Sequence, residues 1–499
     1  MISETKKIIF SALPYSHGDL HCGRILGSTL PADFLKRYFL LKNKKVVHYS
    51  GSDMFGELIY LKALDLQKNP NEIALSYHEN FLKDFDFLNI SFDKYLKTNS
   101  FEHIEFVNKF FDEQLCPYLD KVLNYSFFCN YCRRFLSMRG IFTKCFYCKE
   151  TISDDVCEKC WNHFKITKDS IANCKNCERI LEVKEVQNFR FPIVLTQQQR
   201  NKIIQSCPTK YLKKLFNKGI LDGRDILRYS PYGIAWTNSE IKNTIIYVWI
   251  EALLSYLQLE ASDSNNNLER FFFFGKDNFH FHAEILHKLY FLSRSPESIQ
   301  KFNSKLIIRN FLNCNNKKLS SSKFNEKELF FIKDLKKIVP SDTIRFYLLE
   351  KDLLNRDSNY SFKELINFHN KIYCNKFINY FHRIQKCSPK SILFKKTKLM
   401  LDFQNKLDIS FELSNLNKTY KLFIKIIDLG NSLLDKYIKN KNIRTLNSSI
   451  KLIINSLDYF EIIMPNFFSE IKDKIKVTDT QISLNLENIS RFKKIEFFN

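Results

Sequence analysis

The chain has no long apolar run. Among 499 residues, none of its stretches reaches the roughly 18 apolar positions that a membrane-spanning helix needs. The run FFFFG at 271–275 suffices only for a buried strand. The opening MISETKKIIFSALPYSHG has a short apolar segment, stopped at Pro14, and lacks the core of a secretory signal peptide. A soluble, cytoplasmic protein without membrane association is expected. Glycine is scarce, 11 in all, and no low-complexity linker interrupts the sequence. Acidic residues are outnumbered: Asp+Glu 54 against Lys+Arg 77 gives a formal net charge of +23. That excess favours a polyanionic partner, although a lysine-rich, Asn-, Ile- and Phe-rich composition also suits an AT-rich coding sequence. With 44% hydrophobic and 26% charged residues the chain can build real cores, and its length suits two to four domains.

What is present in excess of chance is a cysteine spacing. Fourteen cysteines scattered at random would give fewer than one CxxC pair, yet there are four: Cys129/Cys132, Cys145/Cys148, Cys157/Cys160 and Cys174/Cys177. In a reducing compartment this pattern reads as metal-binding knuckles, two of which close a Cys₄ zinc site. Four knuckles imply two zincs, and sequence alone leaves their pairing open.

Residues 6–13 form a short apolar strand, followed by the loop SHGDLHCGR and a helical pattern from about Arg24 to Leu41. Val46–Tyr49 is a second strand, ending in GSDMFGE. Strand, loop, helix and strand open a Rossmann-type, doubly wound parallel α/β sheet, in which ligands sit beyond the carboxyl ends of the strands. The cysteine block splits this pattern, which resumes at Ile245–Trp249 and Phe271–Gly275. From about residue 340 the chain reads as a separate helical bundle.

Two loops have residue types that suit phosphate. PYSHGDLHCG puts His17, His21 and Gly23 where a helix begins, with glycine allowing close backbone approach and the helix N-terminus favouring an anion. KKLSSSK at 317–323 offers ammoniums and hydroxyls suited to a triphosphate. Each alone reads as an ordinary polar loop. In order with YVWIEALLSYL (247–257), FFFFGKDNFHFHAEIL (271–286) and GSDMFGE, they resemble the methionine enzymes of the class I aminoacyl-tRNA synthetases. ALPYSHGDLHCG resembles the family's HIGH region, and KLSSS (318–322) sits where its KMSKS loop belongs.

The resemblance implies an ATP-dependent ligase that activates L-methionine and transfers it to tRNA(Met), with Mg²⁺ accompanying ATP and one or two structural zincs. It implies methionine binding by Leu13, Tyr15, Asp53, Trp249, Ala252, Tyr256 and His282, with Asp53 meeting the α-amino group. His21, Gly23, Gly275, Asp277, Lys318 and Ser322 would bind ATP, with His21, Arg24, Lys318 and Ser322 catalytic. The inner knuckles (Cys145, Cys148, Cys157, Cys160) and the outer ones (Cys129, Cys132, Cys174, Cys177) would form separate sites. Asn379, Arg383 and Arg444 would meet the anticodon. The implied layout is a catalytic half at 1–114, a knuckle insertion at 115–235, a second catalytic half at 236–330, a stem-contact linker at 331–360 and an anticodon-binding bundle at 361–499. The chain departs from the family pattern at Arg24, Phe55, Glu251, Ser321 and Ile443–Arg444. Two other readings stand beside it: another class I synthetase, and a non-catalytic tRNA-binding relative. A monomer is expected.

Overall fold

The computed structural model describes residues 5–152, 157, 159, 160, 162, 164–192, 194–208, 223–261, 263, 267–314, 317–319, 329–387, 392, 393, 396–472, 474–477, 481–484, 494 and 495. The chain forms two compact units: Met1–Gly18, Val47–Asn80 and Phe92–Ile308 make the first, and Asp19–Val46, Phe81–Ser91 and Arg309–Asn499 the second. Strands β1 (Lys6–Ser11), β2 (Val46–Ser52), β3 (Lys94–Lys97), β4 (Asp120–Cys129), β5 (Glu182–Phe191), β6 (Leu268–Gly275) and β7 (Asn303–Arg309) build the two larger sheets. The helices that frame the sites are α1 (Leu30–Leu41), α2 (Glu57–Asp65), α3 (Phe101–Phe110), α4 (Val248–Ala261), α5 (Ser341–Leu349), α6 (Asn379–Cys387), α7 (Lys398–Glu412), α8 (Leu416–Asn440) and α9 (Ile443–Ile454).

In the first unit one sheet has the order β7-β6-β1-β2-β3, and β1 runs parallel to β6 as β2 does to β3. Ile8, Ile9 and Phe10 are all buried, as are Phe271 to Phe274. Unbroken apolar strands of this kind are covered on both faces, so the sheet lies inside its layers. Helix α4 supplies much of one layer through Ile250, Leu253, Leu254 and Leu257. The insertion has its own sheet, with β4 antiparallel to β5, and a small core of Phe127, Leu136, Met138 and Ile141 packed with the knuckle cysteines. It touches α2: Arg134 Nη1 lies 3.6 Å from the buried Glu57 carboxylate.

In the second unit the helical pattern read from Arg24 onward is present, but it opens with a wider π-helical turn at Ile25–Thr29 before α1. Helices α5 to α9 follow. Three short strands, Ile392–Leu393, Ile475–Val477 and Gln481–Leu484, join the expected bundle as an antiparallel sheet. Isoleucine-rich segments of two to four residues are too short to continue a helix and pair instead.

The centre of this unit is polar. Arg345 of α5 is fully buried and donates to the carbonyls of Leu88, Ile462 and Ile463 and, through Nη2, to Asp33 Oδ2 at 2.8 Å. Arg37 Nε reaches the same oxygen at 2.9 Å. Removing one partner of a buried ion pair strands the other charge, which costs about 3–5 kcal/mol. Asp33→Ala should therefore lower the unfolding free energy by about 3 kcal/mol or more in urea titrations, and Asp33→Asn, which keeps an acceptor, by less.

Candidate active site

The carboxyl edge of the sheet in the first unit carries most of the implied methionine residues. Beyond the ends of β1 and β2 the chains keep pairing: Asp53 N donates to Pro14 O at 3.0 Å and Ser16 N to Asp53 O at 2.9 Å, a parallel bridge of Tyr15 with Asp53. Tyr15 is half-buried, and its hydroxyl oxygen accepts from the Leu58 and Ile59 amides at 3.1 and 3.4 Å, at the start of α2. Burial, with the Asp53 carboxylate next, pushes the Tyr15 phenol up, so it stays protonated. Gly56 has φ +127°, and a Cβ there would sit 2.6 Å from the Tyr15 oxygen. Only glycine allows this approach.

Trp249, Ala252 and Tyr256 share one face of α4 at i, i+3 and i+7. Trp249 is half-buried and stacks on Phe281, with ring centres 4.2 Å apart. Tyr256 is buried and lies 3.1 Å from His282 Nε2, while His282 Nδ1 is 3.0 Å from the Asn278 carbonyl. A carbonyl only accepts, so Nδ1 carries the imidazole proton and Nε2 accepts from the Tyr256 hydroxyl. Burial lowers the His282 pKa to about 4, which keeps the ring neutral. Phe274 stacks on that ring at 4.1 Å. Leu13 is half-buried against the same core. At the end of β6, Gly275 precedes a short turn, Lys276–Asn278, and a Cβ at Gly275 would lie 2.6 Å from Asp277 Oδ1. Asp277 itself is exposed.

Glu251 does not share that face. It is fully buried, its Oε2 is 3.2 Å from His103 Nε2, and His103 Nδ1 is 2.6 Å from Gln258 Oε1. Burial raises the Glu251 pKa and lowers that of His103, so both neutral forms are favoured. His103, Gly56, Phe281 and Asn278 thus support the site, and motif reading did not single them out. Gly56 lies within GSDMFGE and Phe281 within FHFH, so both were in view; His103 carried no local signal.

In the second unit His21 is buried and precedes the helical turn Cys22–Arg24, its Nδ1 accepting from Arg24 N at 3.3 Å. Its ring lies over Gly23, where a Cβ would be 3.0 Å from Nδ1 and 3.5 Å from the Leu319 Cβ. The segment 330–332 pairs with this loop, as Cys22 N donates to Phe330 O and Ile332 N to Leu20 O. Lys317–Lys318 pairs antiparallel with Asn313–Cys314. The His21–Gly23 loop and the Lys318–Leu319 strand end are therefore neighbours. Arg24 is half-buried. Ser321 and Ser322 lie outside the described residues.

The eight knuckle cysteines fall into two groups of four: Cys129, Cys132, Cys174 and Cys177, and Cys145, Cys148, Cys157 and Cys160. Their sulfurs approach at 3.5 Å (Cys129–Cys177), 3.9 Å (Cys132–Cys174) and 3.6 Å (Cys145–Cys160 and Cys148–Cys157). Thiolates about 2.3 Å from one tetrahedral zinc would stand about 3.8 Å apart, so both groups fit that ion with no position left open.

In the bundle, Asn379 is exposed on α6 and Arg383 lies one turn on, bonded to Asn431 Oδ1 at 3.0 Å and paired with Asp435 of α8. Arg444 is exposed in the first turn of α9.

Side chains gathered beyond the carboxyl ends of a parallel α/β sheet mark the ligand-binding edge of a nucleotide-binding fold. A family model described as tRNA synthetases class I (M) matches residues 7–385, and the chain belongs to that family. It is similar to a methionine–tRNA ligase of Bacillus cereus (strain G9842), 30% identical over 76% of this chain and 72% of that one. A methionine–tRNA ligase of Methanococcus aeolicus is 28% identical over 72% of this chain and 55% of its own. The fold matches that of the Mycobacterium tuberculosis methionyl-tRNA synthetase in complex with methionyl-adenylate, at TM-score 0.70 and 15% identity over 94% of each chain.

The buried imidazoles make stability pH-dependent. His282 and His287 both have pKa lowered to about 4 by burial. An unfolded histidine titrates near 6.5, so their contribution is complete above that pH and is lost as pH falls from 6.5 toward 4. At pH 5 the loss is about 2 kcal/mol for each ring. Urea midpoints measured from pH 8 to pH 5 should fall accordingly, and His282→Gln should make that fall smaller by one ring's share, about 2 kcal/mol at pH 5. Metal analysis should find two zinc equivalents per chain, with Cys129→Ser and Cys157→Ser each losing a different one.

Proposed function

We propose that this chain is a methionine–tRNA ligase: it joins L-methionine to ATP as methionyl-adenylate, releases pyrophosphate, and passes the methionyl group to the 3′ end of tRNA(Met). The observation that carries the reading is the Tyr256–His282 pair in the pocket of the first unit, together with Asp53 bridged to Tyr15. A neutral imidazole and a phenol present polar tips without charge, inside a wall made of Trp249, Phe281, Ala252 and Leu13. Such a wall suits a thioether, which gains from polarizable ring contacts. Asp53 supplies the carboxylate for the α-ammonium.

The methionine carboxylate attacks the α-phosphorus in line, and the terminal ribose hydroxyl of tRNA then attacks the adenylate carbonyl, releasing AMP. No protein nucleophile is required. The chain contributes orientation and donors to developing charge. His21, the Gly23 backbone, Arg24, Lys318 and Ser322 serve the phosphates, and Gly275 and Asp277 the nucleoside, with ATP bound as its magnesium complex. The two Cys₄ groups hold structural zinc, which fixes the fold of the insertion. Asn379, Arg383 and Arg444 meet the anticodon, and the excess of basic residues serves tRNA generally. The protein acts as a cytoplasmic monomer. Among the described residues no helix is long and apolar enough to cross a membrane.

Zinc-loaded protein should catalyse ATP–pyrophosphate exchange with methionine, and not with valine, isoleucine, leucine or cysteine. Absence of exchange with every amino acid, in folded protein, would leave the tRNA-binding relative as the better account. Asp53→Ala should lower kcat/KM for methionine about 10²-fold, the loss of one charge-assisted contact. Tyr256→Phe should raise the KM for methionine several-fold while leaving the KM for ATP unchanged, because it strips the proton from the acceptor His282 Nε2.

A further inference from the structure

A cavity of about 770 Å³ opens in the first unit at the end of the sheet where β6 begins. Its apolar walls include Phe106 and Phe110 of α3, Leu257 of α4 and Phe302. Leu268 lines it, whereas Gly275 stands seven residues further along the same strand, about 23 Å away at strand rise. The cavity is therefore separate from the pocket at the carboxyl edge.

Its floor holds two guanidiniums on one carboxylate. Arg270 donates to Glu260 through Nε at 2.7 Å and Nη2 at 2.6 Å, and Arg294 Nη2 adds a third bond at 2.6 Å. The Tyr290 hydroxyl takes a fourth at 3.1 Å, so Glu260 has no capacity left. The other acids at the cavity have cations of their own: Asp263 pairs with Lys6 at 2.5 Å and Glu113 with Lys109, also of the cavity wall, at 3.9 Å. Lys301 is exposed at the rim and has no ion-pair partner among the described residues. Arg294 lies 4.6 Å from the Tyr290 ring centre and Arg270 4.5 Å from that of Phe302, which steadies both cations without neutralising them. Two guanidiniums share the single Glu260 carboxylate, so the cluster keeps one positive charge in excess, with Lys301 beside it and apolar walls next to both. Burial, opposed in part by Glu260, lowers the Arg294 pKa.

We propose that this cavity is a binding site for a small organic anion with an apolar body. The anionic group sits against Arg294 and Lys301, and the body lies among Phe106, Phe110, Leu257 and Phe302. A bare inorganic anion would leave the walls wet, and a neutral apolar molecule would leave the charge unanswered. The volume lies in the range of ordinary small-molecule sites.

The probe is 1-naphthoate, titrated into the full zinc-loaded chain by calorimetry and followed by ligand-observed NMR. Saturable binding below millimolar concentration is expected, unaffected by excess methionine. Acetate and 1-naphthylmethylammonium should bind far more weakly. Arg294→Gln should weaken naphthoate at least tenfold, and Lys301→Gln, at an exposed position that leaves folding intact, about threefold. Ala261→Trp, at the exposed end of α4, should block the cavity. Displacement by methionine would overturn the proposal. So would equal binding of the cation or acetate, no binding at millimolar concentration, or affinity untouched by Lys301→Gln and Ala261→Trp.

Discussion

Two backbone hydrogen bonds organise the site in the first unit. Asp53 N to Pro14 O and Ser16 N to Asp53 O carry the sheet pairing past the ends of β1 and β2. They fix the register in which Tyr15 and Asp53 stand side by side. Strand side chains alternate, so a slip of one residue would turn both away. On the other flank Ala12 N donates to Phe273 O, which holds β1 in step with β6 and so sets where Gly275 ends that strand. Tyr15, held in this register, reaches the first amides of α2 over Gly56. The position of a helix thus depends on the register of a strand pair.

Burial then decides the protonation states. Tyr256, His282, Glu251 and His103 are all removed from water, and each is driven toward its neutral form. In a low-dielectric wall a neutral donor–acceptor chain costs less than separated charges. The Asn278 carbonyl chooses the tautomer of His282, and that choice gives Tyr256 its acceptor. Glu251, one of the departures from the family pattern, meets His103, which in turn bonds Gln258 on the far side of α4. Its side chain ties α4 to α3 on the side of α4 away from Trp249, Ala252 and Tyr256.

Much of this was legible in the sequence. Continuous apolar runs marked β1 and β6, the family resemblance named Trp249, Ala252 and Tyr256, which the structure puts on one face of α4, and the CxxC spacing marked the knuckles. Periodicity gives a face and not a partner, which is why His103 with Glu251, 148 residues apart, went unseen. Arg345 with Asp33 is the same case: a buried arginine in a helix has no sequence signature apart from the distant aspartate that holds it. The short strands at 392–393, 475–477 and 481–484 were missed because segments of two to four residues carry too few positions to show a period.

The insertion touches α2, the helix whose first amides meet Tyr15. Glu57 opens α2, is buried, and faces Arg134, which sits two residues past Cys132. Gly140 approaches the same carboxylate, so close that a Cβ there would be 3.3 Å from Glu57 Oε1. Burial raises the Glu57 pKa, and only the Arg134 guanidinium and the Ser137 amide oppose that shift. Both groups belong to the insertion. Their positions depend on the β4 end and the turn at Met138–Gly140, which pack on the cysteine core of the knuckles. A metal closing this core would therefore do more than fold a peripheral lobe: it would steady the turn that brings Arg134 and Gly140 to Glu57, at the α2 start where Tyr15 is bonded.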